Sequence, residues 1–254
     1  MGAEMTAPIV IKIGGNELEK PGFIPELARV LAGLIAGQPC ILVHGGGRSV
    51  DALLERLGIE PKYYNGQRIT DEAALRAVEM VLSGSVNKGL VLALLEAGVD
   101  AIGLSGVDRG LLRVEPWAPE MGRVGRIVSV RADVLNRLCG EGVVPVISPI
   151  SVGADGCYNV NADHAAGAIA AAVGAARLVF LTDVPGVRVG EAVAAQLGPA
   201  QVEGLIAASV INGGMIPKVR AALAALDQGV AAVQITSLAG LQNGAGTTLT
   251  PDAH

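Results

Sequence analysis

The sequence predicts an α/β protein with a mostly parallel central sheet sandwiched between helices, and three observations carry that prediction. Short apolar runs rich in Val and Ile recur along the chain, with helical patterns between most of them. Only six of the 254 residues are Trp, Tyr or Phe, so the core must be built from Ala, Val, Leu and Ile, as in parallel sheets covered by Ala-rich helices. Two early apolar runs end in glycine clusters from which a helical pattern resumes, and such strand-to-helix turns leave backbone N–H groups bare for an anion.

The elements follow in order. A first strand is expected over residues 9–13, ending in Lys12-Ile13-Gly14-Gly15, and a helix over 25–36 with its proline in the first turn. A second strand, 40–43, runs into His44-Gly45-Gly46-Gly47, and a helix over 50–57 closes at Gly58. Residues 62–69 are short, aromatic and polar around the turn pair Asn65-Gly66. Asp71 caps a long amphipathic stretch towards Met80, and residues 86–96 continue the helical signal after Gly84. Residues 110–130 read as one or two hairpins around the prolines at 116 and 119, antiparallel appendages folded over a pocket. Strands at 101–104, 143–147, 178–181 and 232–235, with helices at 165–173 and from 216, complete the pattern. A boundary near Gly174 divides an N-terminal lobe, 1–174, from a C-terminal lobe, 175–254.

Composition removes several function classes. The formal charge is −5, with no basic run and no aromatic platform, so nucleic acid is excluded as a partner. Cys40, Cys139 and Cys157 have no metal or redox spacing, which predicts buried or free thiols in a reducing, cytoplasmic compartment. No leader pattern opens the chain, and no uninterrupted apolar stretch of bilayer length is expected, residues 165–176 being broken by glycine and stopped by Arg177. His44, His164 and His254 form no zinc constellation, and neither a Ser-His-Asp order nor a Gly-x-Ser-x-Gly elbow is present.

The chemistry-bearing residues point towards phosphate. Lys12, at the end of a strand beside bare N–H groups, is placed to neutralise phosphoryl oxygens. The glycine spacing matches neither a Walker A loop nor a dinucleotide fingerprint. Asn159, Asn161 and Asp163 alternate, so an extended backbone would put them on one face; alternatively Asn161 or Asp163 caps the helix that follows. Arg68 can clamp a carboxylate with two parallel N–H donors. Lys218 sits in a helix's first turn, against the dipole, where a cation needs a reason. Asp183, before Val184-Pro185-Gly186, stands at the C-terminal end of a parallel strand, where open α/β sheets bind ligands; it either touches a nucleotide or caps the turn.

These motifs carry a resemblance. Lys12-Ile-Gly-Gly15, His44-Gly-Gly-Gly47, Tyr64-Asn-Gly-Gln-Arg-Ile-Thr-Asp71, Asn87-Lys88, Gly103-Leu-Ser-Gly106, Asn159-Val-Asn-Ala-Asp163, Leu181-Thr-Asp-Val-Pro-Gly186 and Gly213-Gly-Met-Ile-Pro-Lys218 run in order over nearly the whole chain. Together they resemble the amino acid kinase superfamily and, within it, the acetylglutamate kinases. The resemblance implies a three-layer fold and transfer of a phosphoryl group from ATP to the side-chain carboxylate of N-acetyl-L-glutamate, in arginine biosynthesis. It implies that Lys12 and Lys218 stabilise the transferring group, that Asp163 orients both, and that Gly14, Gly15, Gly45 and Gly46 line the phosphates and acyl substrate. Arg68 and Asn159 would grip the substrate's α-carboxylate and its neighbouring polar groups. Adenine and ribose would lie near Asp183, Val184, Pro185, Gly186, Val187 and Arg188 and near Val210, Ile211 and Asn212. Mg²⁺ would be carried mainly by the nucleotide, with no protein metal ligand. Only eight residues precede the first strand, which resembles the dimeric, arginine-insensitive members rather than the hexameric ones and implies a homodimer. A sister kinase acting on an aminoadipate derivative in lysine biosynthesis, or a sensor that kept the fold without catalysis, are the competing readings.

Overall fold

A computed structural model describes residues 6–64 and 66–251. Eight strands form one sheet, in the spatial order Gln196–Leu197, Thr247–Leu249, Val233–Thr236, Arg177–Leu181, Ile9–Ile13, Cys40–His44, Val144–Ser148 and Ala101–Ser105. Every pairing is parallel except that of Val233–Thr236 with Thr247–Leu249, so the last two strands of one edge run against the rest. The six expected strands are all present, but residues 232–235 are not the last: the chain turns at Gly244, in the left-handed region, and returns as Thr247–Leu249. Two- and three-residue edge strands carry too little periodicity to be read from sequence.

The sheet is covered on both faces, which is why its central strands read as continuous apolar runs. Alternation splits each strand between two cores. Ile9, Ile11 and Ile13 face the helices Phe23–Ile35 and Asn87–Glu96, with Leu27, Leu31, Leu90 and Leu94. Val10 faces the opposite way, into a core that holds Ala165, Ala166, Ile169 and Ala170 of the helix Ala162–Ala172. Lys12 shares Val10's parity and therefore points to that helix. Small Ala side chains let the helix approach closely, and its neighbour Met215–Asp227 packs on it through Ala222 and Ala225.

The expected hairpins are present and one was missed. Leu112–Pro116 pairs with Gly125–Val130, and Lys62–Tyr64 pairs with Gln67–Ile69 around a turn that includes Gly66 (φ 76°). Asn65 lies outside the described residues. Ile150–Gly153 and Gly156–Asn159 form a further hairpin that joins the first in a four-stranded sheet beside the main one.

Helical structure runs without a break from Glu72 to Glu96, as Glu72–Glu79, a π-helical segment Met80–Val86, and Asn87–Glu96. The helical signal thus continues past Gly84 as one run, with a π-helical segment that the sequence did not signal. These 25 residues are long and apolar enough to cross a bilayer by length and composition, but Glu79 and Lys88 interrupt the run. Its inward face, including Ala77, Val78, Leu82, Leu90 and Leu94, is buried in the body of the protein, as in a core helix. Arg177–Leu181, just past the expected boundary at Gly174, pairs in register with Ile9–Ile13, so the two expected lobes would share one sheet.

Candidate active site

The chain leaves Ile9–Ile13 towards one side of the sheet and later returns on the other, so the order reverses at this strand. Ligands in open α/β sheets bind at that switch, beyond the strands' C-terminal ends. Both glycine clusters are there. Strands Ile9–Ile13 and Cys40–His44 are parallel neighbours, and the Gly45 N–H donates to the Ile13 carbonyl at 3.0 Å, holding the two turns together. A Cβ on Gly15 would sit 2.7 Å from the Gly47 nitrogen and 3.0 Å from that of Gly46, covering both. Glycine at 15 leaves these donors uncovered at the start of the helix Gly47–Arg56, where the dipole also favours an anion. Gly14 stands aside from the cavity as the residue before the short helix Gly15–Leu18.

Around these turns lies a cavity of about 220 Å³ that includes Lys12, Gly15, Gly45, Gly46, Asn159 and Asp163 in its lining. Lys12 Nζ is 2.8 Å from Asp163 Oδ1, with both side chains mostly sheltered. Asp163 is not in an extended segment, as one reading of the alternation had it. Asn161 caps the helix Ala162–Ala172, its Oδ1 accepting from the Asp163 and His164 N–H groups at 2.8 and 3.4 Å. Asn159 ends the preceding strand. All three nevertheless line the cavity, since a cap turns the chain without moving it away.

Arg68 reaches the cavity from the hairpin Lys62–Tyr64/Gln67–Ile69. One terminal nitrogen lies 2.7 Å from Asp51 Oδ1, and the other donates to the Tyr63 hydroxyl at 2.6 Å and the Gly47 carbonyl at 3.2 Å. Tyr63 in turn donates to Asp51 at 2.8 Å, and its ring lies under the guanidinium at 4.8 Å. Its phenol is held above its ordinary range by partial burial and by the hydrogen bond to Asp51. The guanidinium is therefore fixed before any ligand arrives. Asn159 Nδ2 donates to Thr70 Oγ1 at 3.1 Å, leaving its Oδ1 as an acceptor for the cavity.

A second cavity, about 330 Å³, is enclosed by Val184, Pro185, Gly186, Val187 and Arg188 on one side and Val210, Ile211, Asn212 and Met215 on the other. Gly186 (φ 153°) fits because a Cβ there would meet Thr247 Oγ1 at 2.7 Å, and that hydroxyl accepts from the Val187 N–H at 2.8 Å. Asp183 is exposed at the start of this loop and outside the cavity wall, with Thr182 Oγ1 donating to its Oδ1 at 3.2 Å. Lys218 is half-buried on the helix Met215–Asp227, one turn below Met215 and so on the same face. Among the described residues Asp163 pairs with Lys12 and not with Lys218.

Sequence reasoning missed Asp51, Tyr63, Thr70 and Trp117. Asp51 and Tyr63 look like ordinary surface residues until Arg68 brings them together. Trp117, in the hairpin turn, stacks on His164 with ring centroids 5.3 Å apart and planes within 8°. The partners come from distant segments, and no local spacing signals them. Burial keeps His164 below its ordinary range, with Asp163 opposing.

The profile of the amino acid kinase family matches residues 7–237. The chain belongs to the amino acid kinase family. Among amino acid kinase relatives, it is similar to a protein of Roseiflexus sp. (strain RS-1) named acetylglutamate kinase, 55% identical over 95% of this chain and 92% of that one. A protein of the same name from Chloroflexus aurantiacus (strain J-10-fl) is 50% identical over 97% and 98% of the two chains. The crystal structure of smu.665 from Streptococcus mutans UA159 superposes with a TM-score of 0.82 at 30% identity, covering 95% of this chain and 98% of that one. The central sheet with helices on both faces is thus the amino acid kinase fold.

Proposed function

We propose that this amino acid kinase transfers the γ-phosphoryl group of ATP to the side-chain carboxylate of N-acetyl-L-glutamate, giving N-acetyl-L-glutamyl 5-phosphate and ADP in arginine biosynthesis. The observation that carries the reading is one cavity in which a sheltered lysine–aspartate pair and two bare glycine turns face a preformed guanidinium. The names of the relatives favour acetylglutamate over an aminoadipate derivative.

The residues suit that chemistry. A carboxylate is already nucleophilic at neutral pH, so no general base is needed. One of its oxygens bonds to the γ-phosphorus as the bond from that phosphorus to the β,γ-bridging oxygen breaks, and ADP departs. The difficulty is to hold two anions in line and stabilise charge on the three equatorial oxygens. Lys12, with the N–H groups of Gly15, Gly46 and Gly47, would do the second, and Asp163 would keep Lys12 aimed. Arg68 would take the α-carboxylate, and Asn159 Oδ1 would accept from the acetamido N–H. The cavity between residues 184–188 and 210–212 would hold adenine and ribose, with Lys218 approaching the phosphates from the helix below. The cavity's one carboxylate among the described residues, Asp163, is paired with Lys12. The donors around it are cations, amides and backbone N–H groups that suit phosphate oxygens, so Mg²⁺ would be held by the nucleotide itself. When bound, it supplies further neutralisation of phosphate charge. Residues 1–174 would serve the acyl amino acid and 175–254 the nucleotide.

Leu92, Leu95 and Ile102 expose an apolar strip along the helix Asn87–Glu96 and the edge strand Ala101–Ser105, which supports a homodimer through that edge. The unpaired thiols of Cys40, Cys139 and Cys157 support a cytoplasmic setting. A coupled assay for ADP tests the activity: turnover is expected with N-acetylglutamate, and a preference for an aminoadipate derivative would overturn the substrate assignment.

A further inference from the structure

The second glycine turn needs something to hold it, because a Gly45–Gly46 peptide has little intrinsic preference. His44 ends its strand fully buried, and its Nδ1 lies 2.9 Å from the Gly45 carbonyl oxygen. A carbonyl only accepts, so Nδ1 carries the proton and Nε2 is an acceptor. Asn87 Nδ2 lies 3.1 Å from that Nε2 and donates its other hydrogen to the Val146 carbonyl at 2.9 Å. The amide cannot be reversed, because its Oδ1 accepts from Lys88 Nζ at 3.1 Å, and Lys88 also donates to the Gly103 carbonyl at 3.1 Å. Gly103 is bare where a Cβ would meet Lys88 Nζ at 2.6 Å and run into Asn87 Oδ1. In a trans peptide the carbonyl and N–H point opposite ways. Holding the Gly45 oxygen against buried His44 therefore sends the Gly46 N–H towards Gly15 and the cavity.

Asn87 is available for this because of the π-helical segment. Val78 before it and Leu82 in its first turn are buried four residues apart; after it, Asn87, Leu90 and Leu94 are buried. A continuous 3.6-residue period from Val78 and Leu82 would bring Ser85 and Gly89 inward. Instead Ser85 is exposed, and the step from Leu82 to Asn87 is five residues, the spacing of a π turn. The same segment sets Leu82 and Val86 against Gly46, where a Cβ would lie 2.7 and 3.3 Å from them.

We propose that Met80–Val86 is π-helical in order to bring Asn87 onto His44, and that these two are positioning residues that fix the Gly46 N–H in the phosphoryl-transfer cleft. The role in transfer rests on the function proposed above; the geometry of the pair does not. Two measurements test it. In the intact wild-type protein, imidazole ¹⁵N shifts between pH 6 and 8 are expected to report an Nδ1–H tautomer with an accepting Nε2 at His44. An Nε2–H tautomer would overturn the proposal without reference to activity. In the ADP assay, His44→Leu and Asn87→Ala are expected to lower kcat at least ~10-fold, with the nucleotide KM within ~3-fold of wild type, as for a weakened transition-state donor. His44→Asn, whose Nδ2 superposes on Nδ1 and can still donate to Gly45 but which offers no Nε2 to Asn87, should lose clearly less kcat than His44→Leu. Folded variants with wild-type kcat, or an equal loss in His44→Asn and His44→Leu, would overturn the proposal. If His44→Leu does not fold, Asn87→Ala decides in its place, and wild-type kcat in that folded variant overturns the proposal. A wild-type protein that makes no ADP would sink the function instead, leaving the tautomer to judge the pair.

Discussion

Lys12 and Asp163 meet at 2.8 Å although one is the penultimate residue of the first strand and the other lies in the first turn of a helix far along the chain. Strand parity sends Lys12 to the face on which that helix packs. Asn161, as its cap, turns Asp163 towards the cavity, where a carboxylate in the first turn is also favoured by the helix dipole. The pairing restrains a flexible ammonium group at the place where phosphoryl charge would develop.

Lys12→Ala is expected to lower kcat by at least ~10², the usual cost of removing one transition-state donor. Asp163→Asn leaves the ammonium in place but less restrained, and should cost less than Lys12→Ala. Steady-state kinetics that found Lys12→Ala near wild type would remove the lysine from the reaction.

Arg68→Lys keeps the charge but loses the fork that Asp51, Tyr63 and Gly47 hold. It should raise the KM for the acyl amino acid by ~10-fold or more while leaving the nucleotide KM alone, because a point charge cannot replace bidentate recognition. Equal effects on both substrates would place Arg68 elsewhere in the reaction.

Gly186→Ala tests the nucleotide cavity. The new methyl group would strike Thr247 Oγ1 and Val193 Cγ1, each 2.7 Å away, at a backbone angle of φ 153° that L side chains rarely adopt. Equilibrium titration with an ATP analogue should show affinity weakened by ~10-fold or more, with thermal stability also reduced. Unchanged nucleotide affinity in a folded variant would argue against this cavity.

His44 predicts a pH dependence of stability. Burial drives its imidazole down to about 4, with the Lys88 charge adding to that and the Gly45 carbonyl opposing it. Between the unfolded value near 6.5 and about 4, the unfolded chain binds a proton that the folded chain does not. Stability should be complete above pH 6.5 and fall as pH drops through that window, by up to about 3 kcal/mol. Urea unfolding at pH 4.5 and 7.5 measures it, and His44→Asn should flatten the slope. An unchanged slope in that variant would mean other groups dominate.

The central parallel sheet could be read directly, because strands buried on both faces must be apolar throughout and glycines must mark their ends. Lys12 stood out beside a glycine turn, Asn159 and Asp163 through their alternation, and Arg68 through its forked donors, with the ordered motifs linking them. The edge strands at 196–197 and 247–249 and the hairpin at 150–159 were too short for periodicity to register. Local sequence therefore determined which strands form, where they end and which polar residues gather at those ends. Tertiary structure alone decided which partners those residues meet: Asp51 and Tyr63 behind Arg68, Trp117 on His164, and Asn87 on His44. The physical reason is that secondary structure follows from interactions within a few residues. A hydrogen bond between distant segments depends instead on the packing of whole elements, and a single π turn in a long helix was enough to change which residue faced inward.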